Sequence, residues 1–450
     1  MCAHGNLPLA DGFDSLILHS FRQFGIVDID LSGRLTVITG ANGAGKTSIL
    51  NILGSHFSWP AQFRSMPLAF RDESKLFPDF RYLDPLMVRD ALNPHRFNEV
   101  METLGHMRVT YEHSGRPGAV AIGSLKYTGG SSSRIDIWTG HHQDADEYGL
   151  DLPAQRRVEG IFLPAHRSIS PYRPVERIPA KFVSAEEILR THVDELRNIF
   201  YSYNSPGGRS TPMLRMKEAL LAAAVFGEGN SSVRPNPEAL DVWHGFQQVL
   251  RAILPDSIGF IRLEASPPDI ILETSAGRYA IDAISGGMNT LFDLAWQIHL
   301  RSRNSAVFTV CIDEPENHLH PSLQRTLIPN LMRAFPEVKF VLATHSPFIV
   351  TAAPEAKVYV LTYDEDNSVN STALDFENKA QSAERTLTDV LGLATTTPVW
   401  AEDLFNAIMS RFVEREISSE SMWELKNELE RNGLGHELPF ALEQLLGERE

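Results

Sequence analysis

Apolar and polar positions near the start of the chain alternate with a period of two. Leu16-Ile-Leu-His19, Gly25-Ile-Val-Asp-Ile-Asp-Leu31 and Arg34-Leu-Thr-Val-Ile-Thr39 read as three successive strands. The third is rich in β-branched residues. It meets Gly40-Ala-Asn-Gly-Ala-Gly45 and then a helix-forming stretch from Lys46 to Leu53. Strand, glycine-rich loop and helix are therefore expected in that order.

Between Trp59 and Thr139 aromatic and polar residues mix, with short strand-like pieces at Met107–Tyr111 and Arg134–Trp138. His141–Gly149 reads as an acidic loop, and a further strand is expected at Val158–Leu163, stopped by Pro164. From about 184 to 255 the pattern becomes helical. Asn236-Pro-Glu-Ala predicts a helix start, with Asn236 as cap and Pro237 at the first helical position. Apolar residues then recur at Leu240, Trp243, Phe246, Leu250, Ile253 and Leu254, one face of a helix.

Strands resume at Gly259–Leu263 and Asp269–Glu273. The apolar runs Ala306–Ile312 and Lys339–Ala343 flank a helix near His320–Ala334, and such a strand–helix–strand unit implies a parallel sheet. The tail after Glu377 reads as helical, with a capping box at Ser421-Met-Trp-Glu424 and a stop at Asn432-Gly433.

Composition changes this picture little: 450 residues with 43% hydrophobic and 22% charged describe a globular chain with a sizeable core. The net charge of −16 argues against a general nucleic-acid coat. It leaves room for a local basic groove at Asp151–Lys181, where Arg156, Arg157, Arg167, Arg173, Arg177 and Lys181 face Asp151, Glu159 and Glu176; a solvated face is the other reading. The two cysteines, Cys2 and Cys311, make no disulfide framework, and Cys311 sits in an apolar run as a small buried hydrophobe. The first residues lack the pattern of a secretory signal. The longest apolar runs, such as Ala219–Phe226, fall short of the roughly 18 residues that span a bilayer, so a cytoplasmic protein with no membrane partner is expected.

Four motifs carry chemistry. Gly40–Thr47 is a phosphate-binding loop, in which glycines let backbone N–H groups converge on phosphate oxygens at a helix N-terminus. Asn42, Gly43, Ala44, Gly45, Lys46, Thr47 and Ser48 would then bind ATP, with Lys46 on the β- and γ-phosphates and the Thr47 hydroxyl on Mg²⁺. Val307–Ile312 runs into Asp313-Glu314-Pro315, an apolar strand ending in two acids. Asp313 would hold the metal and Glu314 would act as general base on the attacking water. Ser285-Gly286-Gly287 opens an amphipathic helix through Leu291, Leu294, Ile298 and Leu300, a second anion site. Thr344-His345-Ser346-Pro347 follows a strand, where His345 could touch a γ-phosphate. His318 and His320 suit a turn better than a metal site, since two histidines make a weak case for a metal.

These four motifs, in their order along the chain, resemble the ABC-type ATPases of the SMC, RecF and OLD kind. The resemblance implies an α/β fold: a P-loop ABC-type ATPase head with a parallel core sheet, an antiparallel β-lobe and a helical insert. Residues 1–183 and 258–376 would form the two parts of the head, 184–257 the insert, and 377–450 a helical partner-docking segment. It also implies a homodimer or larger assembly with two ATP molecules between chains. Ser285, Gly286 and Gly287 of one chain would complete in trans the site built by Lys46, Asp313 and Glu314 of the other. Glu316 and Asn317 would lie along that interface.

Arg22, within Ser20-Phe-Arg-Gln-Phe24, would contact the nucleotide or sit in a core hairpin. The family's signature often has Gln where this chain has Met288, and Gln143 and Gln155 are candidates for its lobe-linking glutamine. The compact length and the tail without acidic strand ends are similar to the stand-alone ATPases of two-gene anti-phage systems, the Septu and PARIS ATPases. That layout implies a regulatory scaffold controlling a separate effector, a nuclease. The alternative is a RecF-like repair ATPase that clamps DNA in an ATP-dependent way.

Overall fold

A computed structural model describes residues 7–57, 63–64, 67–69, 76–78, 120–139, 147–166, 172–201, 211–374, 383–387, 399–412 and 418–447, apart from Arg22, Asn230 and Asp366. Arg22, Gln143, Arg167, Cys2 and the expected strand at Met107–Tyr111 lie outside them. The chain divides into two compact units, Met1–Thr386 and Leu387–Glu450. The first unit extends past residue 376 because a short helix, Ala383–Arg385, packs against Pro347–Val350.

One twelve-stranded sheet organises the first unit. Its strands, in chain order, are β1 (Phe13–Phe21), β2 (Phe24–Asp30), β3 (Leu35–Gly40), β4 (Val120–Tyr127), β5 (Ser132–Thr139), β6 (Glu147–Asp151) and β7 (Gly160–Leu163). A separate three-stranded meander follows, β8 (Phe260–Ser266), β9 (Asp269–Thr274) and β10 (Gly277–Ala280). The main sheet resumes with β11 (Thr309–Asp313), β12 (Lys339–Ala343), β13 (Lys357–Tyr363) and β14 (Val369–Ala373). Spatial order is β7-β11-β12-β3-β13-β14-β2-β1-β4-β5-β6, with Phe63–Arg64 at the far edge. The pairs from β7 to β13 are parallel, and β2-β1-β4-β5-β6 are antiparallel. The parallel core and the antiparallel lobe are thus one continuous sheet, joined through β13, β14 and β2.

The central parallel strands are buried on both faces, and period-two alternation divides their side chains between two cores. Leu35 and Val37, Val310 and Ile312, and Phe340 and Leu342 point into the larger core. Ile38, Cys311, Val341 and Ala343 point into the smaller one, with the helix α1 (Lys46–Gly54). This explains why those strands read as unbroken apolar runs. It also isolates Cys311, whose thiol is pushed up by complete burial.

The larger core is closed by α2 (Ala185–Tyr201), α3 (Pro212–Gly227), α4 (Pro237–Ile253), α5 (Gly286–Ser302) and α6 (Pro321–Ala334). Asn236 caps α4 by accepting from the Glu238 and Ala239 amides, with Pro237 in the first turn as expected. The buried face is Ala239, Val242, Phe246, Val249, Leu250 and Ile253; Leu240 and Trp243 flank it. Helix α5 is buried from Met288 to Leu300 at every position but Asp293, rather than amphipathic, because β7, α2 and α4 all pack against it.

Two short-range expectations shift. Glu147–Gly149 belongs to strand β6 rather than to a loop, since it pairs with Trp138 and Thr139 of β5. Val158 and Gly160–Leu163 fall in different strands. Among its described residues the second unit holds three α-helices, Val399–Met409, Ser419–Arg431 and Leu438–Gly447, around Phe405, Ile408, Leu425, Leu429 and Ala441. Its capping box sits one turn earlier than the sequence suggests: Ser418 is the cap and Ser421 its reciprocal partner, with Asn432 and the positive-φ Gly433 as the stop.

Candidate functional site: a phosphate loop facing two acids and a histidine

Three neighbouring parallel strands, β3, β12 and β11, deliver their C-terminal ends to one place, where α/β sheets bind ligands. At the end of β3, Gly45 takes φ 90° and opens α1. A Cβ there would lie 2.4 Å from Phe24 Cζ, so glycine is required both by the turn and by the ring beneath it. Asn42, Gly43 and Thr47 are exposed, while Ala44, Lys46 and Ser48 are buried. Lys46 Nζ donates to the Gly40 and Ala41 carbonyls, each at 3.0 Å. Burial draws the ammonium pKa down, and Glu314, Asp313 and Glu316 oppose that.

Asp313 ends β11. The Thr47 hydroxyl lies 3.0 and 3.2 Å from its two carboxylate oxygens. The next residue, Glu314, has φ 47°, a left-handed conformation that costs a non-glycine residue energy. Its amide donates to Ala343 O at 2.9 Å and so ties it to the end of β12. Its carboxyl is pushed up to about 8 by burial, then by the neighbouring charges of Glu316 and Asp313 and a hydrogen bond with Glu316; Lys46 pulls it down. His345 Nε2 stands 3.3 Å from Glu314 Oε1. Burial and Lys46 hold the imidazole below its usual range, so at neutral pH this contact is a hydrogen bond rather than an ion pair.

The residue that places His345 was absent from the site assembled from the sequence. Glu316 Oε1 accepts from the Thr344 hydroxyl at 2.6 Å, the His345 amide at 2.8 Å and the Ser346 amide at 2.9 Å. Its position as the third acid of Asp313-Glu314-Pro315-Glu316 was the available signal. Thr39 Oγ1, donating to Thr344 O at 2.9 Å, holds the same loop to the end of β3. Glu316→Ala should lower kcat about tenfold or more, as displaced catalytic groups do. The donors left behind should cost about 2 kcal/mol or more. Steady-state kinetics with a thermal melt measures both.

Gln23 and Tyr363 also reach the loop. Gln23 Nε2 donates to the Gly43 carbonyl, and the Tyr363 hydroxyl donates to Gln23 Oε1 at 3.4 Å. Gln23 lies next to Arg22 in Ser20–Phe24, where the arginine was the candidate, and no periodicity or motif marks Tyr363.

Ser285 caps α5 by accepting from the Met288 amide at 3.4 Å. A Cβ on Gly287 would lie 2.9 Å from the His318 carbonyl, so this helix start and the loop after Glu314 are in close approach. Asn317 links them further: its carbonyl accepts from Thr290 Oγ1 at 3.2 Å, and its side chain donates to Ala165 O at 3.0 Å. Met288 turns into the large core, which accounts for an apolar residue at that position. His320 caps α6 through Nδ1, and His318 is exposed at φ 67°.

Gln155 lines a cavity with His56 and Phe57, beyond the far end of α1 from Lys46, about 13 Å of helix away. That placement corrects its candidacy as the lobe-linking glutamine. Of the basic stretch, Arg157 pairs with Glu159 at 2.7 Å, and Arg301 pairs with the same carboxylate.

Residues 15–65 match a family described as "AAA domain", and residues 169–351 match one described as "AAA domain, putative AbiEii toxin, Type IV TA system". Between them these spans hold all four motifs. The chain carries an ABC-type P-loop ATPase head of the SMC, RecF and OLD kind. Among curated proteins the ATPase head is similar to "Septu protein PtuA" of Bacillus thuringiensis, 30% identical over 33% of this chain and 42% of that one. It is also similar to "Retron Ec83 probable ATPase" of Escherichia coli, 29% identical over 26% of this chain and 23% of the relative. The chain thus spans less than half the length of these curated relatives. Among solved structures, the ATPase head aligns with an Smc head bound to the C-winged helix domain of ScpA (TM-score 0.41, 15% identity, 81% of this chain and 98% of that one). A Pyrococcus furiosus Smc head aligns at TM-score 0.42 and 15% identity, over 81% of this chain and 96% of that one. Among the described residues of the ATPase head and the second unit, no helix is long and apolar enough to cross a membrane.

Proposed function

We propose that this chain is the ATP-hydrolysing subunit of a bacterial anti-phage defence complex, closing in pairs around ATP to control a separate nuclease effector. The observation that carries the hydrolytic part is the single cluster of Lys46, Thr47, Asp313, Glu314 and His345 at adjacent strand ends. The defence part is supported by the Septu and retron names of the relatives. In this reading residues 184–257 and 377–450 are the surfaces that meet the effector, and the remainder builds the head.

The chemistry follows from the geometry. Lys46 moves from the Gly40 and Ala41 carbonyls to the β- and γ-phosphate oxygens, which are stronger acceptors. The loop amides and the N-terminus of α1 hold the remaining phosphate charge. Thr47 and Asp313 present hard oxygens side by side, the donor type that Mg²⁺ takes, so the pair fits that ion. Bound there, Mg²⁺ would neutralise charge on the β- and γ-phosphates. Glu314, with a carboxyl raised towards neutrality, takes the proton of the attacking water, and His345 steadies it from the other side. Ser285-Gly286-Gly287, an anion site at the start of α5, meets the γ-phosphate held by a second copy.

The test is to purify Glu314→Gln with Mg²⁺ and ATP from cells carrying the native flanking genes, and to weigh the complex. A dimer or its multiple with a stoichiometric nuclease-like neighbour is expected. A bare dimer retaining DNA would replace this reading with a DNA clamp, and a monomer with ATP bound would remove the sandwich.

A further inference from the structure

Away from the nucleotide site, Lys217 of α3 is completely buried with its charge in the interior. Its ammonium donates to Asp269 Oδ1 at 2.5 Å, to Asp282 Oδ2 at 2.8 Å and to the Arg173 carbonyl at 2.7 Å. It also stands 5.0 Å from the centre of the Tyr172 ring, whose hydroxyl donates to Asp269 Oδ2 at 3.0 Å. The Arg173 amide donates to Asp282 Oδ2 at 3.2 Å. One ammonium therefore joins four segments: α3, the irregular stretch at Tyr172-Arg173, the first residue of β9, and the short 3₁₀ turn Ile281–Ala283.

This is a poor arrangement for stability alone. Two carboxylates share one cation, the Asp282 side chain is 1% exposed, and its Oδ1 has no hydrogen-bond partner among the described residues. Buried ion pairs add little over apolar packing, and their best-attested use is to select one arrangement of the chain. What they select here is set by position. Asp282 stands three residues before Ser285, the cap of α5, and three residues span at most about 10 Å.

We infer that Lys217 is a positioning residue for the Ser285-Gly286-Gly287 motif. By gripping Asp282 it fixes the direction in which the N-terminus of α5 faces the nucleotide of a second copy. The helices α2–α4 and the trans ATP contact then move as one body, so that a partner bound to those helices is felt at the ATP sandwich. This rests on the sandwich proposed above.

The experiment uses the full chain carrying Glu314→Gln, with Lys217→Met, Lys217→Arg or Lys217 intact. Nucleotide binding is measured at concentrations where the protein is monomeric, and ATP-dependent dimerisation by sedimentation. Kinetics are measured in the Glu314 background. Lys217→Met should leave monomer affinity for ATP within about twofold, weaken the dimer about tenfold or more, and lower kcat with little change in KM. Lys217→Arg should restore part of the loss. Wild-type dimerisation and kcat in a folded Lys217→Met protein would overturn the inference. An equal loss of monomer binding would reduce Lys217 to a structural role.

If Lys217→Met does not fold, the triple variant Lys217→Met, Asp269→Asn, Asp282→Asn removes the unbalanced charges and is measured in its place. Hydrogen exchange on the Lys217-intact protein needs no variant. ATP should slow exchange at Ile281–Thr290 and at Met213–Leu220 together, and protection confined to the first would overturn the coupling. A Lys217-intact protein that stays monomeric with ATP would instead fail the sandwich reading, and this inference with it.

Discussion

Glu314→Gln should lower kcat for ATP hydrolysis by about 10²–10⁴-fold, the usual contribution of a positioned general base, while ATP still binds. The amide keeps the size of the carboxylate and can still meet His345 Nε2, which stands 3.3 Å from Glu314 Oε1. It cannot take a proton from water. Because Lys46, Thr47 and Asp313 are untouched, bound ATP should persist and the closed state should accumulate. Single-turnover hydrolysis with an equilibrium binding measurement decides it; a wild-type rate would show that another group is the base.

The same substitution should also stabilise the protein. Burial, Glu316 and Asp313 raise the Glu314 carboxyl to about 8, so the folded state holds a proton that the unfolded state has already released. Stability from such a group is present below the unfolded value near 4.5 and is lost as pH rises towards the folded one. The melting-point advantage of Glu314→Gln should accordingly grow from about pH 5 to about pH 8. A melting-point difference that stayed flat across that range would contradict the assignment.

Lys46→Ala should weaken ATP binding by about 10²–10⁴-fold, since breaking one side of a buried charge pair costs about 3–5 kcal/mol. The free protein should suffer too. Asp313, Glu314 and Glu316 all act on the Lys46 ammonium, which is itself buried, and removing it leaves three acids facing one another. A titration with a slowly hydrolysed ATP analogue should show the loss of affinity, and a melt at neutral pH should show the lower midpoint. Affinity within about threefold of wild type would mean that the loop amides and helix terminus hold the phosphates without the lysine.

Much of this site was legible because its chemistry is carried by contiguous residues. A phosphate loop needs its glycines, lysine and hydroxyl within one turn, and two acids at a strand end are adjacent in sequence. The parallel sheet was legible for a related reason: strands buried on both faces read as apolar runs, seen at Leu35–Thr39, Val310–Ile312 and Lys339–Ala343. Where single-face periodicity was used, the answer shifted. Helix α4 turned its buried face by part of a turn, and α5 proved buried nearly all round, because neighbouring helices rather than the chain's own pattern determine how much of a helix is covered.

The amino-acid sequence by itself determined the proposed nucleotide chemistry, since Gly45, Lys46, Thr47, Asp313 and Glu314 would act through atoms within a few bonds of their own backbone. Only the tertiary structure decided how these pieces face one another. Glu316 holds the His345 loop from 29 residues away, Gln23 reaches Gly43 from 20, and Lys217 reaches Asp282 from 65. Hydrogen bonds and ion pairs act over about 3 Å whatever the sequence separation. A lone glutamate, glutamine or lysine therefore carries no mark of its partner until the sheet and helices have closed around it.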